Sequence, residues 1–337
     1  MFYLPKAFKI ICENAGQHVT NLSSTANSNH VKVTVVGAAG KIGRALALML
    51  KQSILIDELS LYDLKNTAGI AAELNCIDTT CKVTGLWGRN RLEDALKDSN
   101  LVVSLASSHK EVSSSSNWYP NAKIIDEIVD KMRLCAPTAW LAIGTSPINS
   151  TVPLACRLLK KKGIYNPNGV FGVTTLDIVR ANTFAAQVLN VDPESILVPV
   201  IGGASKKTAV PILSHMKPAF YIPDDEAKKI ATDVQCARDA LQSSETPLAS
   251  AFAFARFIVS LAKALKGYKN VVETAYVPSD EHPDVEYLAT PLLLKEDGVA
   301  KNLGVPELTE AEYEMLDSAV DQLDRDVRAG EKMARAM

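Results

Sequence analysis

The sequence is poor in every feature that would tie it to a specialised environment. Six cysteines in 337 residues show no paired spacing of the kind that holds a metal, and a chain this long needs no disulfide framework to hold its core. That usage fits a reducing compartment. Lysine and arginine number 36 against 38 acidic residues, so no one-signed field exists to attract nucleic acid. No apolar run approaches the roughly 18 residues of a membrane span. Histidine, the commonest proton acceptor at neutral pH, is scarce: His18, His30, His109, His215 and His282 are the five. What remains is 47% hydrophobic with a net charge of −2, which reads as a soluble globular protein of one large or two medium domains with no nucleic-acid or membrane partner.

Residues 1–30 differ from the rest. MFYLPKAFKII is apolar with two lysines, and NLSSTANSN is polar and without periodicity. Such a leader suggests a mitochondrial presequence and a matrix location. It lacks arginine and carries Glu13, against the usual transit-peptide composition, so a disordered tail on a cytoplasmic protein is the alternative.

Beyond residue 30 the first half alternates β-rich runs with helical patterns, which predicts a parallel sheet with crossover helices. Strands are expected at 31–36, 59–62, 101–105, 140–143 and 170–173. The second half changes style. VPV opens a strand at residue 198, residues 246–265 form a long apolar helix, and VVETAYV with TPLLLK suggests an antiparallel hairpin. Thr309 and Glu312 stand at capping-box spacing, and Leu316, Ala319, Val320, Leu323 and Val327 fall on one face of an amphipathic C-terminal helix.

GAAGKIG, residues 37–43, follows the β-run HVKVTVV and opens a helical pattern, the context a dinucleotide loop requires. Gly37 permits the tight turn, Gly40 lets backbone approach a pyrophosphate, and Gly43 lets helix pack closely on strand, with phosphate at the helix N-terminus beside Ile42. Asp63 ends the next strand, where a carboxylate accepts hydrogen bonds from the adenosine ribose. An acid there repels a 2′-phosphate, so the expected cofactor is NAD rather than NADP. The expected fold is α/β: a Rossmann-type doubly wound parallel sheet over residues 31–172, followed by an α+β substrate and dimerisation domain over 173–337.

Longer stretches carry a specific likeness. IGRALALMLKQS, LYD, INSTVP, NPNGVFGVTTLDIVRANTF and VPVIGG resemble malate dehydrogenases of the mitochondrial type, within the lactate/malate dehydrogenase family, from about His30 to the C-terminus. The resemblance implies that Asn121 touches the nicotinamide side of the cofactor. It also implies that Asp177 is the aspartate of a His/Asp dyad and Arg180 the arginine that clamps a substrate carboxylate, three residues apart on one helix face.

Three expected parts depart from the family pattern. Ala204 follows VPVIGG where the histidine would stand, and Ser146 in TSPINST replaces a substrate-contacting asparagine. The stretch SLASSHKEVSSSSNWYP, residues 104–120, resembles the closing lid but is shorter and has no arginine; none occurs between Arg91 and Arg133. Lys110 offers a point charge in place of a guanidinium fork. His109, His215, Lys206 and Lys207 are the candidates for a substitute base, against a more ordinary reading as exposed or packed side chains. The expectation is therefore an NAD-binding, malate dehydrogenase-like homodimer with impaired or no turnover. The alternatives are an active NAD-dependent enzyme with a relocated base, taking a small dicarboxylate, and an NAD-sensing partner in mixed dimers with an active paralogue. No metal site is expected.

Overall fold

Val33 and Val35 face one layer of the core and Val36 the other, so the strand they form is buried on both sides, as a central parallel strand must be. The structure, a computed structural model, describes residues 30–108, 118–240 and 247–337. The leader, most of the lid with His109 and Lys110, and Thr246 lie outside the described residues, as do His18 and Cys12.

The strand β1 (Lys32–Val36) pairs in parallel with β2 (Glu58–Asp63) and β4 (Leu101–Ser104). The series continues through β3 (Lys82–Trp87), β5 (Trp140–Ile143) and β6 (Val170–Val173), giving the order β3-β2-β1-β4-β5-β6. That is the doubly wound arrangement. One face is covered by α1 (Lys41–Lys51), α2 (Ala68–Asn75) and α8 (Leu248–Leu265). The other is covered by α3 (Leu92–Leu96), α4 (Tyr119–Cys135), α5 (Ile148–Lys162) and α9 (Glu310–Ala336). The sequence signal did not anticipate β3, an edge strand in which only Val83 is fully buried.

The second half comprises α6 (Thr175–Leu189), β7 (Val200–Gly202), β8 (Ala209–Pro211), α7 (Asp224–Ala240), α8, β9 (Val271–Pro278), β10 (Tyr287–Lys295), β11 (Gly298–Asn302) and α9. Its strands do not form a separate sheet. β9 joins β6 antiparallel, Gly172 opposite Tyr276 and Val173 opposite Ala275, and β10 then carries β7-β8 and β11.

Three expectations need correction. The VPV strand starts later, at Val200, because the Val198 N–H donates to Asn182 Oδ1 at 2.8 Å and Pro199 has no N–H to give a ladder. The second strand of the hairpin begins at Tyr287 rather than Thr290, and β11 joins as a third strand. The expectation about apolar runs also fails at α8, whose 18 residues have a mean hydropathy of 1.6 and pass the length and composition test for a span. Half of that window is buried, however, with Phe257, Ile258 and Leu261 in the core cluster that holds the sheet, so its apolarity is that of a core helix. The C-terminal helix starts as expected: Thr309 and Glu312 bond reciprocally across a capping box, worth about 1 kcal/mol.

Candidate functional site

The loop between β1 and α1 shows why its glycines are required. Gly37 has φ +97°, which only glycine adopts freely, and a Cβ there would meet Ala106 N at 2.5 Å. A Cβ on Gly43 would come within 2.7 Å of Ala38 Cα, so helix and loop touch backbone to backbone. The Gly37 and Ala38 amides both donate to Tyr62 O, and the Ala39 amide donates to Asp63 Oδ2 at 3.0 Å. Asp63 is therefore fixed by the loop itself. It remains partly exposed, and a carboxylate has about four acceptor positions, of which the Ala39 and Lys65 amides take two. Helix α1 has no side-chain cap, and Gly40 and Lys41 at its start are exposed. Orphan N–H groups at an uncapped N-terminus suit a pyrophosphate. Ile42 packs against the core under the loop.

Across the sheet, Asn121 lies in the first turn of α4 and is 2% exposed. Its Oδ1 accepts from the Ser108 amide at 2.9 Å and its Nδ2 donates to Ser146 O at 2.7 Å, joining the ends of β4 and β5. Thr145 Oγ1 lies 2.7 Å from Ser104 Oγ and donates to Ala106 O at 2.9 Å. Ser146 itself is exposed.

The hairpin β7-β8 presents Ala204. Its amide donates to Asn149 Oδ1 at 2.8 Å, and its methyl is buried, 4% exposed, in the same core cluster as Ile201, Val210 and Leu323. Asn149 Nδ2 then donates to Thr208 Oγ1 at 3.2 Å and to Asp326 Oδ2 at 3.0 Å, and Gln322 Nε2 donates to the other Asp326 oxygen. Sequence reasoning missed Asn149 and Asp326 as parts of this site. Asn149 stands inside the INSTVP match, but its partner Asp326 lies 177 residues away, and only the fold joins them.

On α6, Asp177 and Arg180 are both nearly buried, and Arg180 Nη1 is 3.6 Å from Asp177 Oδ1. The described histidines are engaged elsewhere. His30 Nε2 is 3.4 Å from Glu58, at the amino end of the sheet, and His282 pairs with Asp284. His215 shares Ser214 Oγ, which also donates to Glu312. Lys206 and Lys207 are exposed in the loop beside Ala204. Among the described residues no group of three or more His, Cys, Asp or Glu is placed to hold a metal ion. The described cysteines are free thiols, with burial pushing Cys81 and Cys156 up to about 11.

Family models match almost all of the described chain: the lactate/malate dehydrogenase NAD binding domain over residues 31–172 and the alpha/beta C-terminal domain over residues 174–334. The chain belongs to the lactate/malate dehydrogenase family. Similar relatives include the mitochondrial malate dehydrogenase of Felis catus, 38% identical over 330 residues covering 96% of this chain and 97% of the relative. The mitochondrial malate dehydrogenase of Homo sapiens is 37% identical over 321 residues, 93% of this chain and 95% of the relative. Among solved structures, the malate dehydrogenase of Cryptosporidium parvum superposes with a TM-score of 0.77 at 20% identity, covering 90% of this chain and 99% of that one. A Cryptosporidium parvum lactate dehydrogenase complexed with lactic acid and NAD gives 0.76 at 22% identity, covering 90% and 98%. These last two show the shared fold. NAD is the cofactor of this lactate/malate dehydrogenase domain, and the Gly37–Gly43 turn with Asp63 fits its adenosine diphosphate part.

Proposed function

We propose that this protein is a malate dehydrogenase-like NAD-binding subunit whose malate/oxaloacetate oxidoreductase activity is impaired or absent. The observation that carries the reading is Ala204, a buried methyl with no titratable group at the position where the family motif has its proton acceptor. A positioned general acid or base contributes roughly 10² to 10⁴ in rate. The arginine-free lid sequence deepens the deficit, because carboxylate clamping and carbonyl polarisation depend on charge-assisted, often bidentate hydrogen bonds. Arg180 is left as the family's only carboxylate-clamping arginine with a counterpart in this sequence.

Similarity to mitochondrial relatives supports a matrix location, with the cytoplasm as the alternative. The same kinship supports a homodimer. Helices α1 and α8 also leave large apolar side chains exposed, Leu48 on the first and Leu248 and Phe252 on the second, as a pairing surface requires. A mixed dimer with an active paralogue would use the same face. One observation favours a second reading, an active NAD-dependent malate dehydrogenase of the tricarboxylic acid cycle with a relocated base: Asp177 and Arg180 keep their pairing on α6.

The test is a purified-protein assay of oxaloacetate reduction with a cofactor titration alongside. The expected result is no detectable turnover, or turnover several orders of magnitude below a competent relative, with thermal stabilisation by NAD exceeding that by NADP. Robust turnover abolished by Asp177→Ala overturns the proposal in favour of the second reading.

A further inference from the structure

In a sheet ordered as this one is, a dinucleotide lies across the carboxyl ends of the strands, its first mononucleotide on the β1-β2 side and its second over β4 and β5. The residues just past β4 and β5 are Leu105 and Gly144. Phe254, from α8, sits on the second. A Cβ built on Gly144 would collide with the ring, meeting Phe254 Cε1 at 2.6 Å, and would lie 2.8 Å from Leu105 Cδ2. Phe254 is only 8% exposed, and its ring is packed on Gly144 at the carboxyl end of β5.

A second observation points the same way. Two polar groups of this half are turned inward: Asn121 is buried and engaged through both ends of its carboxamide, and the Thr145 hydroxyl is spent on Ser104 and Ala106. On the β1-β2 side the opposite holds, with Gly40 and Lys41 exposed and Asp63 partly open.

We propose that Phe254 stands in for the second mononucleotide, so that this chain recognises only the adenosine diphosphate part of its cofactor and takes ADP-ribose or ADP as well as it takes NAD. The inference rests on the assignment of the Gly37–Gly43 loop to NAD. It adds that the nicotinamide end contributes nothing to affinity and stays in solvent, which makes the protein a sensor of adenine nucleotides as a class rather than of redox state.

Calorimetric titrations of the full-length protein with ADP-ribose, NAD and NADH, with NADH fluorescence recorded in parallel, test the proposal. In the unmodified protein the three dissociation constants fall within roughly threefold of one another, and NADH emission is unchanged on binding. In Phe254→Ala, NADH binding tightens by about tenfold or more with enhanced emission while ADP-ribose is unaffected. Phe254→Leu, which keeps an apolar filler, gives a smaller change of the same sign. The comparison within the unmodified protein stands even if a variant fails to fold. NADH binding about tenfold tighter than ADP-ribose in the unmodified protein overturns the inference and leaves the NAD assignment intact. A Phe254→Ala effect that is equal on both ligands also overturns it, since the ring would then be general packing. No saturable binding of any of the three takes down the NAD assignment together with the inference.

Discussion

On the β1-β2 side of the nucleotide crevice, Gly37 keeps a left-handed φ, Gly43 keeps helix against loop, and Asp63 is held by the Ala39 amide with acceptor positions to spare. On the β4-β5 side, and in the centre built by α6 and the β7-β8 hairpin, Phe254 lies over Gly144, Asn121 is turned to the backbone, and Ala204 is part of the core. The two sides differ in what depends on them. The glycines serve the packing of the fold itself, because a side chain at either position would strike backbone; they persist whether or not anything is bound. A catalytic imidazole contributes to rate and little to packing, so a methyl in its place costs the fold nothing. A conserved-looking nucleotide loop is thus weak testimony for turnover, and the dehydrogenase reading has to be judged at Ala204 and the lid.

The strongest challenge to this contrast is an attempt to restore catalysis. Ala204→His alone leaves oxaloacetate reduction at background, several orders of magnitude below a competent relative, as measured by NADH absorbance. Arg180 alone still serves the substrate dianion, and groups that act as a unit do not contribute additively. The buried site also resists the larger side chain, at a cost of about 1–3 kcal/mol seen as a lowered thermal midpoint. Combining it with Ser146→Asn, an arginine-bearing lid in place of residues 107–116 and Phe254→Ala, which opens room for the nicotinamide, gives measurable activity. Full recovery by Ala204→His alone would break the comparison.

On the intact side, Gly37→Ala costs about 1–3 kcal/mol through its positive φ and the approach of Ala106, and weakens NAD binding by about tenfold or more in a calorimetric titration. An unchanged NAD affinity would show that the loop is not the binding element.

Asn149→Ala sharpens the contrast from the other direction. It leaves the buried Ala204 amide without its acceptor and Asp326 Oδ2 without the Asn149 donor, for a loss of about 1–3 kcal/mol in denaturant unfolding, while NAD affinity stays the same. A parallel loss of NAD binding would show the two sides to be coupled.

The smallest effect belongs to a pair remote from both sides. Partial burial pushes the Asp57 carboxyl up, but the Lys266 ammonium at 2.8 Å and the Val31 amide outweigh it and hold the group below its ordinary 3.8. A depressed carboxyl contributes stability above its unfolded value, and that contribution is lost as pH falls below 3.8 through the folded value. Asp57 is partly exposed, so Asp57→Asn removes less than about 1 kcal/mol at neutral pH and a smaller amount at pH 2. Equal destabilisation at both pH values would exclude the charge as the cause.

The parallel half of the fold was legible because strands buried on both faces read as continuous apolar runs between helical periods, and the loop because φ +97° at Gly37 admits little but glycine. The start of α9 was legible because a capping box is local. Edge strand β3 escaped because its solvent side obscures the pattern, and the joining of β9 to β6 escaped because nothing local encodes a partner about a hundred residues away. The same holds within the site. Asp177 and Arg180 were within reach of reasoning on one helix, whereas Asn149 with Asp326, and Gly144 with Phe254, meet only across the folded chain.

Stitching β6 to β9 through Gly172 and Val173 also limits how the molecule moves. Two lobes joined by a free linker open and shut about a hinge, but here a closing rotation would tear a hydrogen-bonded ladder in the middle of the sheet. Entry to the crevice is therefore governed by side chains and loops at its rim, with the two halves turning as one rigid plate. Small-angle scattering profiles of the protein with and without nucleotide should superimpose.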